Sequence, residues 1–163
     1  MKILVTGCAG FIGSNLVDFL LNKKYLVVGI DNFNDFYSPK IKRENLKEAL
    51  SNPNFKLYEL DLLDFDKLQK IFAEEKFDAI VHLAAYAGVT YSFENPVLYV
   101  RNNVEVTTEL LNLCKKFEVK NFIFASTSSI YGENQTPFNE SMITDHPLAP
   151  YPATKKACEV MIS

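Results

Sequence analysis

The apolar positions of this chain fall into short runs separated by polar turns, and the runs alternate between two periodicities. Ile3, Leu4 and Val5 form an unbroken run of β-formers, the pattern of a strand buried on both faces of a parallel sheet. Phe11, Ile12, Leu16, Phe19 and Leu20 then recur at helical spacing. Leu26 to Ile30 reads as a second strand, Pro39 to about Leu50 as a helix opened by Ser38-Pro39, and Asn52-Pro53-Asn54 as a turn. Phe55 to Leu60 predicts a third strand. Asp64 caps a helix to about Glu75 in which Leu68, Ile71 and Phe72 form the buried stripe. Asp78 to Leu83 predicts a fourth strand, followed by a long helix from about Pro96 to Phe117, a fifth strand from Asn121 to Ala125 and a last helix beginning near Tyr151. Strands alternating with helices predict an α/β fold, a doubly wound parallel sheet with right-handed crossovers. Ligands of such sheets bind beyond the C-terminal ends of the strands.

Those ends carry the informative residues. Gly7, Gly10 and Gly13 punctuate the first strand-to-helix turn as G-x-x-G-x-x-G. Gly7 permits the tight turn, Gly10 lets backbone approach a pyrophosphate, and Gly13 lets the helix pack closely on the strand. The helix N-terminus adds free N–H groups and a partial positive charge. Asp31 ends the second strand near the spacing of about 20 residues at which a carboxylate meets ribose hydroxyls. The reading is a Rossmann-like dinucleotide site. Asp31 repels a 2′-phosphate and no Arg adjoins it in sequence, so the cofactor expected is NAD rather than NADP.

Composition narrows the class. With 163 residues, 48% hydrophobic, the chain can bury one sizeable core and fits a single globular domain spanning 1–163. A net charge of −3 without a basic stripe disfavours nucleic acid and anionic membrane surfaces as partners. No stretch is long enough to span a membrane, and the apolar run before Cys8 is shorter than the roughly 7 to 15 residues of a signal peptide. Cys8, Cys114 and Cys158 lack metal spacing and read as small core or turn residues in a reducing compartment, so no metal is expected and the expected location is cytoplasmic.

The fifth strand empties into the hydroxyl cluster Ser126-Thr127-Ser128-Ser129, and Tyr151-x-x-x-Lys155 follows. A Tyr and a Lys four apart on a helix share a face. Positive charge beside a phenol favours its phenolate, which makes Tyr151 a base for a substrate hydroxyl, with Thr127 hydrogen-bonding the same oxygen as its charge changes. The plainer readings are that Ser and Thr here cap a helix, that His82 is a hydrogen-bonded core histidine, and that Phe33, Phe36 and Tyr37 cover a core edge.

Taken jointly, the glycine triplet, Asp31, Asp61, His82-Leu83-Ala84-Ala85, Asn103 and Tyr151-x-x-x-Lys155 resemble the extended short-chain dehydrogenase/reductases, in particular the NAD-dependent nucleotide-sugar epimerases and dehydratases. Within that group the segments 31–37, 85–89, 125–132 and 153–157 most resemble UDP-glucuronate 4-epimerases. The resemblance implies that Gly7, Gly10, Phe11, Ile12 and Gly13 hold the pyrophosphate, Asp31 and Asn32 the adenosine ribose, and Asp61 with Leu62 the adenine edge. Leu83, Ala84, Ala85 and Asn103 would line the cofactor path. Tyr151 would be the base, Lys155 its activator and a nicotinamide-ribose ligand, and Thr127 the hydroxyl partner, with Ser128 and Ser129 available to the sugar. The implied reaction removes the 4-OH proton, passes hydride from C4 to NAD, turns the 4-keto sugar and returns hydride to its other face.

Dehydratases and decarboxylases of the group carry acidic residues directly after the threonine, where this chain has Ser128 and Ser129, so an epimerase of a UDP-sugar is expected. Two positions depart from the glucuronate pattern: Tyr86 stands where Gln is usual and Thr90 where Arg is usual. UDP-glucose 4-epimerase therefore stays open, as does a non-catalytic NAD-binding module. Relatives continue into a further strand and a substrate-binding lobe, so the sequence reads as an N-terminal fragment truncated before that lobe. They also dimerise through helices that include the one beginning near Tyr151, which makes a homodimer an expectation.

Overall fold

Five strands, β1 (Lys2–Thr6), β2 (Leu26–Asp31), β3 (Phe55–Glu59), β4 (Ala79–His82) and β5 (Asn121–Phe124), pair in parallel in the order β3-β2-β1-β4-β5. They come from a computed structural model that describes residues 1–163. The fold is Rossmann-like, as the alternation predicts. Burial follows strand position. In β4 every residue is buried and in β1 all but Lys2, whereas edge strand β5 alternates and leaves Ile123 exposed. Because the chain starts in the middle of the sheet and reverses its direction of travel after β3, right-handed crossovers place helices on both faces.

The chain packs as two units, one of residues 1–84 with 112–124 and the other of 85–111 with 125–163. The first holds the sheet with α1 (Phe11–Asn22), α2 (Pro39–Asn45) and α3 (Phe65–Glu75). Asp64 caps α3 as expected, accepting from the Lys67 N–H. The face that α1 buries differs from the one its apolar spacing suggests. Gly13, Ser14, Val17, Leu20 and Leu21 are buried, while Phe11, Ile12 and Phe19 are exposed. Close packing at Gly13 turns the small side of the helix inward and leaves the two large residues of its first turn outside. The helix predicted through Leu50 ends at Asn45, and a 3-10 turn covers Ala49–Ser51. Leu46 and Ala49 drop into the core, and their burial overrides helix propensity there.

The second unit is helical: α4 (Val89–Glu94), α5 (Pro96–Tyr99), the start of α6 (Val106–Lys116), a 3-10 turn over Ser128–Tyr131, and α7 (Pro150–Ile162). Between α5 and α6, Val100–Glu105 is wound as a π-helix, so the predicted long helix exists with one wide segment inside it. Helix α4 was not predicted: Thr90, Tyr91, Ser92 and Phe93 are weak helix formers. All three cysteines are unpaired and buried. Burial pushes the Cys114 thiol up to about 11 and raises Cys8 and Cys158 as well, as befits inert core residues.

Candidate active site

In the first unit the glycine turn leaves β1 with Gly7 at φ +67°, a conformation that side chains with a Cβ rarely adopt. A Cβ on Gly7 would stand 2.8 Å from the backbone nitrogen of Ala84, and one on Gly13 would overlap the carbonyl oxygen of Gly7. The Gly10 N–H donates to that same carbonyl at 3.1 Å, and Gly10 opens α1 with no side chain capping it and no acidic residue in its first turn. Backbone N–H groups and the positive helix end are thus offered in a cradle that side chains would fill. This donor set suits a diphosphate.

Asp31 ends β2 and is buried. Its Oδ2 accepts from the Ala9 N–H at 3.1 Å and its Oδ1 from the Phe33 N–H at 2.9 Å. Each oxygen keeps a further lone pair. The carboxylate therefore fixes the glycine turn while retaining capacity for a hydroxyl. Asn32 donates to Oδ2 of Asp61 at 3.1 Å, which joins two residues expected on one nucleoside. Leu62 beside them is buried. Leu83 and Ala84, beyond β4, both give their N–H to the hydroxyl oxygen of Thr6 at 3.2 Å. His82 is the core histidine expected, with Nδ1 on that hydroxyl. Phe33 is core, covered by the Arg43 guanidinium, whereas Phe36 and Tyr37 are exposed.

In the second unit α7 carries Tyr151 and Lys155 one turn apart on one face, with Pro150 at its start. Lys155 is 3% exposed. Burial brings its ammonium down to about 8, and Cys158 opposes that only in part. Thr127 caps the 3-10 turn through the Ser129 N–H at 3.2 Å, the plainer role named above, and its hydroxyl proton is still available to donate. Ser128 is exposed and Ser129 half-buried. The Oγ of Ser126 is buried without a hydrogen-bond partner. Asn103, in the π-helical segment, is 1% exposed and spends its amide on protein: Oδ1 accepts from the Tyr86 N–H, and Nδ2 donates to the Tyr86 carbonyl and to Thr154 Oγ1. Sequence reasoning placed Ser126 in the hydroxyl cluster without giving it a role, and missed Thr6 and Tyr99; for Tyr99 a signal existed, since Tyr99, Asn103 and Thr107 recur every fourth position.

The family profile described as GDP-mannose 4,6 dehydratase matches residues 4–163. The chain belongs to this family. Its resemblance to the extended short-chain dehydrogenase/reductases is thereby borne out. Among family relatives, a UDP-glucuronate 4-epimerase of Thermodesulfobacterium geofontis is 47% identical over 158 residues, which is 97% of this chain and 49% of the relative. The UDP-glucuronic acid 4-epimerase of Bacillus cereus, solved with UDP-glucuronic acid and NAD, superposes with a TM-score of 0.88 at 42% identity, over 99% of this chain and 51% of that one. The UDP-Glc/GlcNAc 4-epimerase of Campylobacter jejuni gives a TM-score of 0.90 at 36% identity, over 99% and 47%. The chain thus spans about half the length of the relatives it matches.

Proposed function

We propose that the protein is an NAD-dependent nucleotide-sugar 4-epimerase acting on UDP-glucuronate. The observation that carries the reading is the pairing of Tyr151 and Lys155 on one face of α7 in a chain whose Thr127 is followed by two hydroxyls and no carboxylate. A sugar hydroxyl can be deprotonated by this set. Elimination of water would ask for a further acid and base beside it.

The glycine cradle fits the diphosphate of NAD, with Gly7, Gly10 and Gly13 leaving the space and the first N–H groups of α1, on Phe11, Ile12 and Gly13, facing the charge. Asp31 and Asn32 would hold the adenosine ribose, Asp61 and Leu62 the adenine edge, and Leu83, Ala84 and Ala85 the path beyond. When bound, NAD supplies a reversible acceptor for the hydrogen at C4. Tyr151 takes the proton of the 4-hydroxyl and returns it. Lys155 stabilises the phenolate while charged, and Thr127 donates to the same sugar oxygen. Ser128 and Ser129 offer hydroxyls to the sugar. The buried cysteine thiols support a cytoplasmic setting, and no helix is long and apolar enough to cross a membrane. A homodimer is proposed from the resemblance.

A second reading, a neutral hexose as in UDP-glucose 4-epimerases, is favoured by one observation: Tyr86 and Thr90 leave segment 85–90 without a cation for a sugar carboxylate. The test is an NMR product assay of the complete protein with NAD and each UDP-sugar in turn. Formation of UDP-galacturonate, lost in Tyr151→Phe while NAD still binds, supports the first reading. UDP-galactose from UDP-glucose alone would establish the second, and no product from either overturns both.

A further inference from the structure

Tyr99 is the largest fully buried side chain of the molecule, and no step above uses it. Its hydroxyl lies 2.6 Å from the carbonyl oxygen of Ala87 and 3.0 Å from that of Gly88, so one proton is shared between two adjacent carbonyls of the segment that carries Tyr86. Its ring meets the ring of Tyr151 edge-on, with centroids 6.0 Å apart at 69°. Tyr86 and Tyr91 pack on it at 6.1 Å and 6.3 Å. The base thus sits against a tyrosine whose own plane is fixed by its hydroxyl.

Tyr99 ends α5, and Val100–Glu105 follows as a π-helix. Tyr99, Asn103 and Thr107, spaced by four, fall on one face of this helical stretch. All three are buried. Asn103 then reaches α7 through Thr154 at 3.1 Å and receives the Cys158 thiol on its carbonyl at 3.3 Å. One stripe therefore holds α7 at two levels and presents Tyr99 to the base. Burial, reinforced by the phenols of Tyr91, Tyr151 and Tyr86, holds the Tyr99 hydroxyl above the ordinary tyrosine range and keeps it a donor.

We propose that Tyr99 is the positioning residue of Tyr151: its ring, packed edge-to-face with the ring of the base, sets the plane of the base, and its hydroxyl locks that ring to the 87–88 carbonyls. The proposal rests on Tyr151 being the base of the reaction proposed above. Two contacting phenols then have opposite tasks, one held as a permanent donor to backbone and the other free to exchange a proton with substrate.

The test compares Tyr99→Leu and Tyr99→Phe in the complete protein, reading kcat and KM separately together with the ring-flip rate of Tyr151 by NMR. Loss of the ring in Tyr99→Leu is expected to lower kcat on the order of 10- to 100-fold with KM little changed, and to speed the flip of Tyr151. Tyr99→Phe keeps the ring but loses the lock on the 87–88 carbonyls, and should fall between parent and leucine variant in both readouts. Should the leucine variant not fold, Tyr99→Met, closer in volume, carries the same comparison. Unchanged kcat, or a rise in KM with kcat retained, overturns the proposal. If the wild-type protein turns over no sugar, the functional reading fails and the flip rate alone decides: fastest in leucine and intermediate in phenylalanine upholds the positioning role, and no change overturns it.

Discussion

The hydroxyl of Thr6 lies 2.6 Å from Nδ1 of His82, where β1 and β4 pair these two residues in register, both of them buried. The same oxygen accepts the N–H of Leu83 and of Ala84, which occupies both of its lone pairs. The one hydroxyl thus ties His82 to the two N–H groups that follow it in the chain. This network sets the chain just after β4, where Ala84 closes on Gly7. Thr6→Val keeps the shape and removes the hub, leaving Nδ1 and the Ala84 N–H unsatisfied. A loss of about 2 to 4 kcal/mol is expected, read as a lower urea midpoint at constant m-value. Stability equal to the parent would show that the network is dispensable.

Glu75 gives an acid-side prediction. It ends α3 with its side chain 9% exposed and receives Lys56 at 2.6 Å, Lys2 at 2.9 Å and the Tyr58 hydroxyl at 2.7 Å. Burial pushes the carboxyl up, but the three donors together outweigh it and hold the group at about 2, below its ordinary 4.5. The folded state thus binds this proton less readily than the unfolded chain. Its stabilisation is complete above about pH 4.5 and is lost as pH falls toward 2. In Glu75→Gln the chain should lose about 1 to 3 kcal/mol at pH 7 and show a flatter stability curve between those limits. Parallel curves for parent and variant would refute the assignment.

What the sequence made legible is what periodicity and backbone freedom encode. The strands end within a residue or two of their expected places, because apolar runs bounded by turn residues leave little choice. The glycine cradle was legible because steric room is a property of the residue itself. Less legible was the direction of side chains. Phe11 and Ile12 look like a core stripe and are exposed, since Gly13 decides the buried face of α1. The bonds that the Asn103 amide makes, to Tyr86 and Thr154, join partners 17 and 51 positions away that no local pattern marks. The π-helical winding of Val100–Glu105 has no residue signature there.

Asp31 supports a prediction about cofactor choice. Its carboxylate is fixed by the Ala9 and Phe33 N–H groups and keeps a lone pair on each oxygen, and in the proposed function these meet the ribose hydroxyls while the carboxylate opposes a 2′-phosphate. Asp31→Ser should weaken NAD binding and raise the NADP-to-NAD affinity ratio at least tenfold, about 1.4 kcal/mol in relative terms. Calorimetric titration with both dinucleotides checks it. An unchanged ratio would remove Asp31 from the recognition of the adenosine ribose.

Lys155 ties function to stability with the opposite sign from Glu75. Its ammonium is buried on α7, and burial lowers it from 10.5 to about 8 despite the nearby Cys158. Below about pH 8 both folded and unfolded chains carry the proton, and the folded one bears the full cost of burying it, roughly 3 kcal/mol. Between about 8 and 10.5 the unfolded chain binds more protons, so stability rises with pH through that window. Lys155→Met removes this dependence. The difference in unfolding free energy between parent and variant should therefore shift in the parent's favour by a few kcal/mol from pH 8 to 10.5, after titrations common to both cancel. The variant should also lose turnover in the complete protein, because the charge beside Tyr151 is gone. A difference that stays flat with pH would mean that Lys155 is solvated in the folded chain, and a variant that still turns over sugar would mean that Tyr151 needs no cation.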